Sequence, residues 1–154
     1  MNKNESRMFY YINCALDEFF PDLTIRNNYI VFPQVSMFSF LGINDNLNKF
    51  STKVALQILS KNFDFIICNR YYAKNYYFYK PILLIELDGS SHYSPAKYGI
   101  EAFERQKNSD QYKNRLANAF NIPQIRYCMN DNDLITKDDR DKIKTILQKY
   151  FIVS

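Results

Sequence analysis

Two acidic side chains interrupt an otherwise aliphatic segment, residues 82–88, whose sequence is ILLIELD. Glu86 and Asp88 stand where a buried strand would ordinarily continue with apolar residues, and a buried carboxylate is costly unless a partner compensates its charge. Two alternatives follow. The acids form ion pairs with basic side chains, or they bind a metal ion that takes part in chemistry.

A third acid lies in the segment NFDFIIC, residues 62–68. Side chains alternate along a strand, so Glu86 and Asp88 are predicted to share a face with Ile82 and Leu84, and Asp64 to share a face with Ile66 and Cys68. Two successive strands with no helix between them are most simply antiparallel neighbours. That pairing would bring Asp64 and Glu86 together at one end of the sheet.

Converging carboxylates repel one another, and protons or cations must compensate them. Mg²⁺ prefers oxygen ligands and is commonly held by one or two carboxylates, with waters and substrate phosphate completing its shell. The pattern therefore predicts a metal site for phosphodiester chemistry, with Asp64, Glu86 and Asp88 as ligands. For any one of these acids taken alone, a structural ion pair is the more common arrangement.

The turn DGSSH directly follows the acids and brings back His92, the only histidine of the chain. A histidine can act as acid or base near neutral pH, so His92 is a candidate catalytic residue. The alternative is that His92 holds the loop by hydrogen bonds.

The elements that would position these residues follow from hydrophobic periodicity. Helices are predicted over residues 5–20, 51–61 and 98–120, and after a capping pair formed by Thr136 and Asp139. Strands are predicted at residues 29–37, 62–69, 81–88 and 122–128. Pro33 indicates an edge or irregular position for the first strand.

This order predicts an α/β fold in a single domain, residues 1–154, with a mixed sheet of about four strands flanked by helices. The long helix at 98–120 is expected to pack through five apolar residues and to break near its middle; the five are Ile100, Phe103, Tyr112, Leu116 and Phe120. The last helix is expected to pack through Ile143, Ile146, Leu147 and Tyr150.

Composition narrows the function classes. A net charge of +4 over 154 residues tolerates a polyanionic partner without arguing for one. Three widely spaced cysteines without a C-x-x-C pair argue against a zinc ribbon or a disulfide framework, and three glycines leave no phosphate-binding Gly-rich loop.

No signal peptide or membrane span is recognisable, so we expect a cytoplasmic protein with no membrane partner and no small-molecule cofactor.

Several motifs together resemble the PD-(D/E)XK nuclease superfamily: FDFIICN, PILLIELDGSSH and RQKNSDQYKNRLANAFNIPQIRY. Within that superfamily the chain is most similar to proteins like the very-short-patch-repair endonuclease. It also resembles a bacterial domain of unknown function that is sometimes fused to helicases or topoisomerases. The resemblance implies a restriction-endonuclease-like fold and a hydrolase that cleaves nucleic acid, most simply DNA, with Mg²⁺ or with Mn²⁺ in its place.

The resemblance also assigns roles to particular residues. Asp64 and Glu86 would be the metal-binding acids, and Glu5 would be the first-helix glutamate that often completes the site. Asp110 would lie on the helix that covers the site. Arg126 would lie on the last strand, where it could equally be a structural ion-pair partner.

One position departs from the superfamily pattern. The third signature residue is lysine, whereas this chain has Asp88. Lys113 is the candidate that supplies the missing charge, because it follows Asp110 by three residues and shares its helix face. The departure leaves an alternative, a nuclease fold that binds nucleic acid or protein without cutting.

The segment RYYAKNYYFYK, residues 70–80, joins the two acid-bearing strands. Its aromatic rings could stack on unpaired bases while Arg70, Lys74 and Lys80 touch phosphate, with Arg105 on the next helix as a weaker candidate. The alternative, which we favour from sequence alone, is a β-hairpin whose tyrosines cover a sheet edge or a partner surface.

Overall fold

Helix α1 (Lys3–Phe19) begins with a capping box, in which the Asn2 side chain accepts from the Glu5 N–H and the Glu5 carboxylate accepts from the Asn2 N–H. The structure is a computed structural model that describes residues 1–37, 39, 61–89 and 99–151. The predicted helix at 51–61 falls almost entirely outside these ranges. His92 also lies outside the described residues.

Three further helices follow in the described part of the chain: α2 (Leu23–Arg26), α3 (Ile100–Ala119) and α4 (Asp139–Phe151). α3 runs without a break over its 20 residues, so the expected interruption near its middle is wrong. The predicted capping pair before α4 is confirmed, because the Asp139 Oδ2 atom accepts from the Thr136 N–H at 2.7 Å.

Four strands form one mixed sheet in the order β1-β2-β3-β4: β1 (Tyr29–Ser36), β2 (Asn62–Ala73), β3 (Tyr76–Asp88) and β4 (Gln124–Cys128). The pair β2–β3 is antiparallel, as predicted; β1 also pairs antiparallel to β2, and β4 pairs parallel to β3. A parallel pair needs a crossover, and α3 supplies it. The described residues thus form an α/β, restriction-endonuclease-like fold, as the sequence predicts.

The segment that sequence analysis treats as a connection is a continuation of β2 and β3. Lys74 and Asn75 both have positive φ, 49° and 67°, which is the backbone of a two-residue hairpin turn whose twist matches the strands. Tyr72 pairs with Tyr77 and Ala73 with Tyr76. The hairpin itself is therefore confirmed, and β2 and β3 continue past the predicted ends at Asn69 and Pro81.

A bulge in β3 shifts the register between these two halves. Ile67 pairs with Leu83, but Cys68 pairs with Pro81, so Ile82 is an extra residue. Proline lacks the N–H that a regular ladder needs, and bulges tolerate it. Ile82 consequently packs on the opposite side of the sheet from Leu84, contrary to simple alternation, whereas the acid-bearing end beyond Leu83 keeps its alternation.

Two apolar clusters cover the two faces of the sheet. On one face, α1 and α4 pack over β2, β3 and β4 through a cluster that includes Ile12, Leu16, Ile85 and Leu147. On the other face, the C-terminal half of α3 packs through Leu116 and Ala117 against the strands. Glu86 shares the α3 face with Leu84, so the acids and α3 lie on the same side of the sheet.

Two expected apolar contacts are wrong. Ile100, the first residue of α3, is 74% exposed, and Tyr150 is 45% exposed because it is not on the face of α4 through which Phe151 packs. Phe151 packs on the α1 cluster where Tyr150 was expected to. None of the four described helices has the length and apolarity that a membrane span requires.

The cap of α4 carries a pH-dependent stability prediction. Burial alone would raise the pKa of Asp139, but hydrogen bonds from the Thr136 N–H and the Tyr127 hydroxyl, the latter at 2.5 Å, hold that pKa below its usual range. A carboxyl group with a depressed pKa stabilises the folded state above its unfolded pKa of about 4, and this stabilisation is lost as pH falls through the folded value.

We therefore expect Asp139→Asn to lower the free energy of unfolding by about 1–2 kcal/mol at neutral pH. The difference from wild type should shrink as pH falls below about 4, where the native carboxylate protonates. Denaturant titrations across this pH range measure it, with exposed Asp138→Asn as the matched control. A loss that stays the same at every pH would contradict the assignment.

Candidate active site

One row of polar side chains crosses the sheet at the acid-bearing end. Phe65 pairs with Ile85, and the register one step further brings Asp64 level with Glu86. Glu86 in turn pairs with Arg126 of β4. Side chains of paired residues share a face, so these three project together toward α3. The predicted meeting of Asp64 and Glu86 follows directly from this register.

Glu86 is the most buried acid of the row, with 1% of its surface exposed. Lys113, which is 8% exposed on α3, donates from Nζ to the Glu86 Oε2 atom. The other carboxylate oxygen, Oε1, is buried and has no hydrogen-bond partner among the described residues. One half of this carboxylate is thus paired, and the other half is left for a ligand.

The pKa of Glu86 is raised to about 7, chiefly by burial and in addition by the nearby Asp64 charge. Lys113 opposes this shift, through both its charge and its hydrogen bond. A carboxylate that water solvates poorly gains more from an added cation than an exposed carboxylate would. The electrostatics of Glu86 therefore favour a positive ligand at Oε1.

Asp64 lies beside Glu86 and is half-buried. Its Oδ2 atom accepts from the Leu87 N–H at 2.8 Å, which fixes the carboxylate against β3. Burial is the main cause that raises the pKa of Asp64, and the charges of Glu5 and Asp88 act in the same direction. Asp64 is therefore held in place by the backbone that follows Glu86.

Asp88 faces Arg126 at the end of the row. The Arg126 Nη1 atom donates to the two Asp88 oxygens at 3.0 and 3.2 Å and lies 3.2 Å from Asp110 Oδ1. Its Nη2 atom donates to Asn114 Oδ1 at 3.4 Å. Arg126 thus joins β3, β4 and α3, which is the ion-pair role that the sequence leaves open for it.

Glu5 approaches the site from α1. Its Oε2 atom accepts from the Asn2 N–H and from the Gln34 side-chain amide, each at 2.8 Å. Gln34 lies between Pro33 and Val35, which pair with the residues flanking Asp64, and it has a positive φ of 49°. The irregularity expected near Pro33 is thus at Gln34, and it stands next to the site.

Helix α3 presents a polar stripe to this row. Asp110 and Lys113 lie on one helix face, as predicted, and the Gln106 side chain donates to Asp110 Oδ1 at 3.1 Å. Asn114 extends the stripe by its bond to Arg126. The stripe explains why α3 carries few apolar residues: half of its inner face covers acids instead of the core.

Sequence analysis missed Gln34, Gln106 and Asn114. Gln106 stands four residues before Asp110 and seven before Lys113, and this helical spacing is a signal that could have placed Gln106 on the same helix face. Gln34 had no such signal, because its place depends on an irregular backbone in an edge strand.

The basic residues proposed for nucleic-acid contact lie in two places. Arg70, Lys74 and Lys80 belong to the β2–β3 hairpin, and Arg105 is exposed on α3. None of them is part of the acidic row.

The acidic row offers carboxylate oxygens, the kind of ligand that a divalent cation such as Mg²⁺ prefers. Within residues 1–37, 39, 61–89 and 99–151, no group of three or more His, Cys, Asp or Glu side chains is arranged to hold a metal ion. Mg²⁺ is commonly bound through only one or two carboxylates, with waters and substrate filling its shell. The unpartnered Glu86 Oε1 beside Asp64 meets that requirement.

The net charge of the site points the same way. In the described part of the chain, carboxylates outnumber cationic groups around the row by five to two: Glu5, Asp64, Glu86, Asp88 and Asp110 against Lys113 and Arg126. Such an excess of negative charge attracts cations and disfavours an anion bound without one.

Comparison with known proteins gives one match. A family model described as "Protein of unknown function (DUF2726)" matches residues 1–146. Searches of curated proteins and of solved structures found no significant match.

Proposed function

Because the chain belongs to the DUF2726 family of proteins of unknown function, its activity has to be inferred from the site itself, and we propose a metal-dependent phosphodiesterase. Its substrate is nucleic acid, and the enzyme acts as a DNA endonuclease or nicking enzyme. This proposal includes membership of the PD-(D/E)XK nuclease superfamily, which the motifs and the αβββαβ order of the described core elements support.

The observation that carries the proposal is the state of Glu86. Its carboxylate is buried, Oε2 is paired with Lys113 and Oε1 has no partner among the described residues. A purely structural ion pair would leave no buried oxygen unsatisfied, since that costs about 1–3 kcal/mol or more for a charged group. An ion or an ordered water bound at Oε1 would remove this cost, and a cation would also compensate the negative charge.

The residues would share the work as follows. Asp64 and Glu86, with a backbone carbonyl near Leu87, would hold Mg²⁺ or Mn²⁺. The bound cation lowers the pKa of water and neutralises charge that develops on phosphate. Asp88 would support the site through Arg126 and remain a further candidate ligand.

Lys113 would supply the positive charge that the superfamily takes from the strand position occupied here by Asp88. Its Nζ atom already lies against Glu86. From there it would orient the attacking water or stabilise the charge on the phosphate oxygens during hydrolysis. A lysine on α3 thus substitutes for a lysine on β3.

The second candidate is a module that binds nucleic acid without cutting it. The observation in its favour is that Asp88 is engaged with Arg126, in the position where the superfamily signature has lysine. This candidate predicts salt-sensitive binding and no cleavage with any divalent metal.

A cleavage panel tests the proposal. Purified protein is incubated with supercoiled plasmid, duplex oligonucleotide, single-stranded oligonucleotide and RNA, each with Mg²⁺, with Mn²⁺ and with a chelator. We expect products that require the metal and that disappear with the chelator. Salt-sensitive binding without products under any metal would favour the second candidate and contradict the first.

A further inference from the structure

The outer part of the β2–β3 hairpin stands apart from the rest of the sheet. We call residues 69–80 the aromatic hairpin. The β1 pairing ends at Asn69, and β4 pairs with β3 only from Leu84 onward. The Arg70 N–H still donates to the Asn28 carbonyl, and the Tyr79 ring packs against Phe32, but from Tyr71 to Phe78 the two strands pair only with each other among the described residues.

Aromatic rings cover both faces of this ribbon. Tyr72 and Tyr77 are cross-strand partners with ring centroids 5.2 Å apart. On the other face, Tyr71 stacks on Phe78 at 5.4 Å, with an interplanar angle of 16°. Cross-strand pairs of this kind stabilise the hairpin.

The rings remain exposed to an unusual extent. The exposed fraction reaches 61% for Tyr72, 57% for Tyr77 and 70% for Tyr76. Aromatic side chains release much free energy when they are buried, so several of them exposed side by side mark a binding surface.

The charge of the aromatic hairpin identifies the kind of partner. Residues 69–80 contain Arg70, Lys74 and Lys80 and no acidic residue. The Arg70 guanidinium lies over the Tyr77 ring, 4.7 Å from its centroid, so a cation and an aromatic face are presented together. In nucleic acid, the bases could stack on the aromatic rings while the phosphates pair with the cations. An apolar protein surface would bury the rings but leave the cations without a partner.

The spacing of the rings fits an unpaired strand. Successive side chains on one face of a β-strand are about 6.6–6.8 Å apart. Stacked bases are about 3.4 Å apart, and a ring inserted between two of them would increase the distance between the bases to about 6.8 Å, close to the spacing of the side chains. Paired bases are stacked on each other inside a duplex, so only a single strand offers them to the tyrosines.

The hairpin is continuous with the acidic row. Alternation along β2 puts Arg70 and Tyr72 on the same side of the sheet as Asp64, with the buried Ile66 and Cys68 between them, so a bound strand would pass over the residues that cover these two. Eight residues separate Tyr72 from Asp64, a distance of about 26 Å along the strand. Single-stranded nucleic acid spans this distance with roughly four to eight nucleotides, depending on how far it is stretched.

We propose that the aromatic hairpin binds single-stranded DNA by stacking on its bases and guides that strand toward the row of Asp64 and Glu86. The substrate would then contain a single-stranded segment, such as a flap, a gap or an end. The guiding step rests on the proposed nuclease function, whereas the binding step does not.

Binding is tested without cleavage. Fluorescence anisotropy measures the affinity of the protein for a labelled oligothymidylate and for a duplex of equal length, with a chelator present throughout. We expect tighter binding of the single strand. The variant Tyr72→Ala/Tyr77→Ala should weaken it by about tenfold or more, since each stacked base contributes substantially.

Two comparisons keep this result specific. Tyr72→Phe/Tyr77→Phe retains the rings and should bind like wild type, and Tyr150→Ala removes another exposed tyrosine, from α4, and should change nothing. Thermal melts establish that each variant is folded. Equal affinity for duplex and single strand, or an alanine variant that binds as well as wild type, would overturn the proposal.

A change in self-association in the alanine variant, without a change in DNA affinity, would show that the rings bind a second copy instead. The binding proposal and the nuclease proposal can also be refuted independently of each other. A protein that binds the single strand but cuts nothing refutes the nuclease and leaves the hairpin proposal intact. A protein that cuts with unchanged rates and affinities in the alanine variant refutes the hairpin proposal alone.

Discussion

Glu86→Gln is expected to reduce metal-dependent cleavage by at least about a hundredfold, because it removes the charge of a central metal-binding carboxylate. The substitution keeps the size of the side chain, and the amide oxygen can still accept from Lys113. The measurement is the initial rate of product formation on the best substrate of the cleavage panel, with Mg²⁺ and with Mn²⁺.

The matched control is Glu104→Gln, which removes the same charge from an exposed position on α3 and should leave the rate unchanged. Circular dichroism establishes that both variants are folded. Wild-type cleavage by folded Glu86→Gln protein would refute the assignment of Glu86, whatever the identity of the products.

Lys113→Met is the second substitution with a large expected effect. Methionine preserves most of the length and packing of the side chain but removes the positive charge beside Glu86. If Lys113 replaces the signature lysine, cleavage should fall by roughly 10²–10³-fold, which is typical for the loss of a group that stabilises charge in the transition state. Exposed Lys107→Met, on the same helix, is the control.

A second readout separates Lys113 from the metal ligands. Mn²⁺ at about ten times its dissociation constant should stabilise a binding-competent protein by about 1.4 kcal/mol. Lys113→Met should retain this metal-induced rise in melting temperature, and Glu86→Gln should lose it. A Lys113→Met protein that cleaves at the wild-type rate would show that the strand lysine has no substitute on α3.

Much of this site follows from strand alternation. The periodicity of ILLIELD and NFDFIIC predicts that Asp64, Glu86 and Asp88 share a face, and the absence of an intervening helix predicts the antiparallel pairing. Both predictions are local, and the structure confirms both. The spacing of Asp110 and Lys113 likewise places them on one helix face.

The remaining features depend on tertiary packing that no local pattern records. Whether Lys113 contacts Glu86 or Asp88 depends on how α3 crosses the sheet. Arg126 joins Asp88, Asp110 and Asn114 only because β4 adds next to β3. The position of Gln34 depends on a positive φ inside an edge strand, and that conformation is uncommon for residues other than glycine.

The aromatic hairpin was difficult to predict from the sequence for a different reason. Strand signals in RYYAKNYYFYK are strong, because aromatic residues favour strands, but strands are usually read from one apolar face and one polar face. Here both faces are aromatic and exposed. The turn is also unusual, since Lys74 stands where asparagine or glycine is preferred.

The contact between Lys113 and Glu86 has a consequence for how the proposed activity would be lost. A lysine on the strand itself would stay near its glutamate even if the helix detached. In this chain the two charges belong to separate elements, and only the docking of α3 on the sheet brings them together. Partial unfolding that detaches α3 from the sheet would therefore separate Lys113 from Glu86 before the whole protein unfolds. The proposed activity would then depend on how cooperatively α3 unfolds with the rest of the fold.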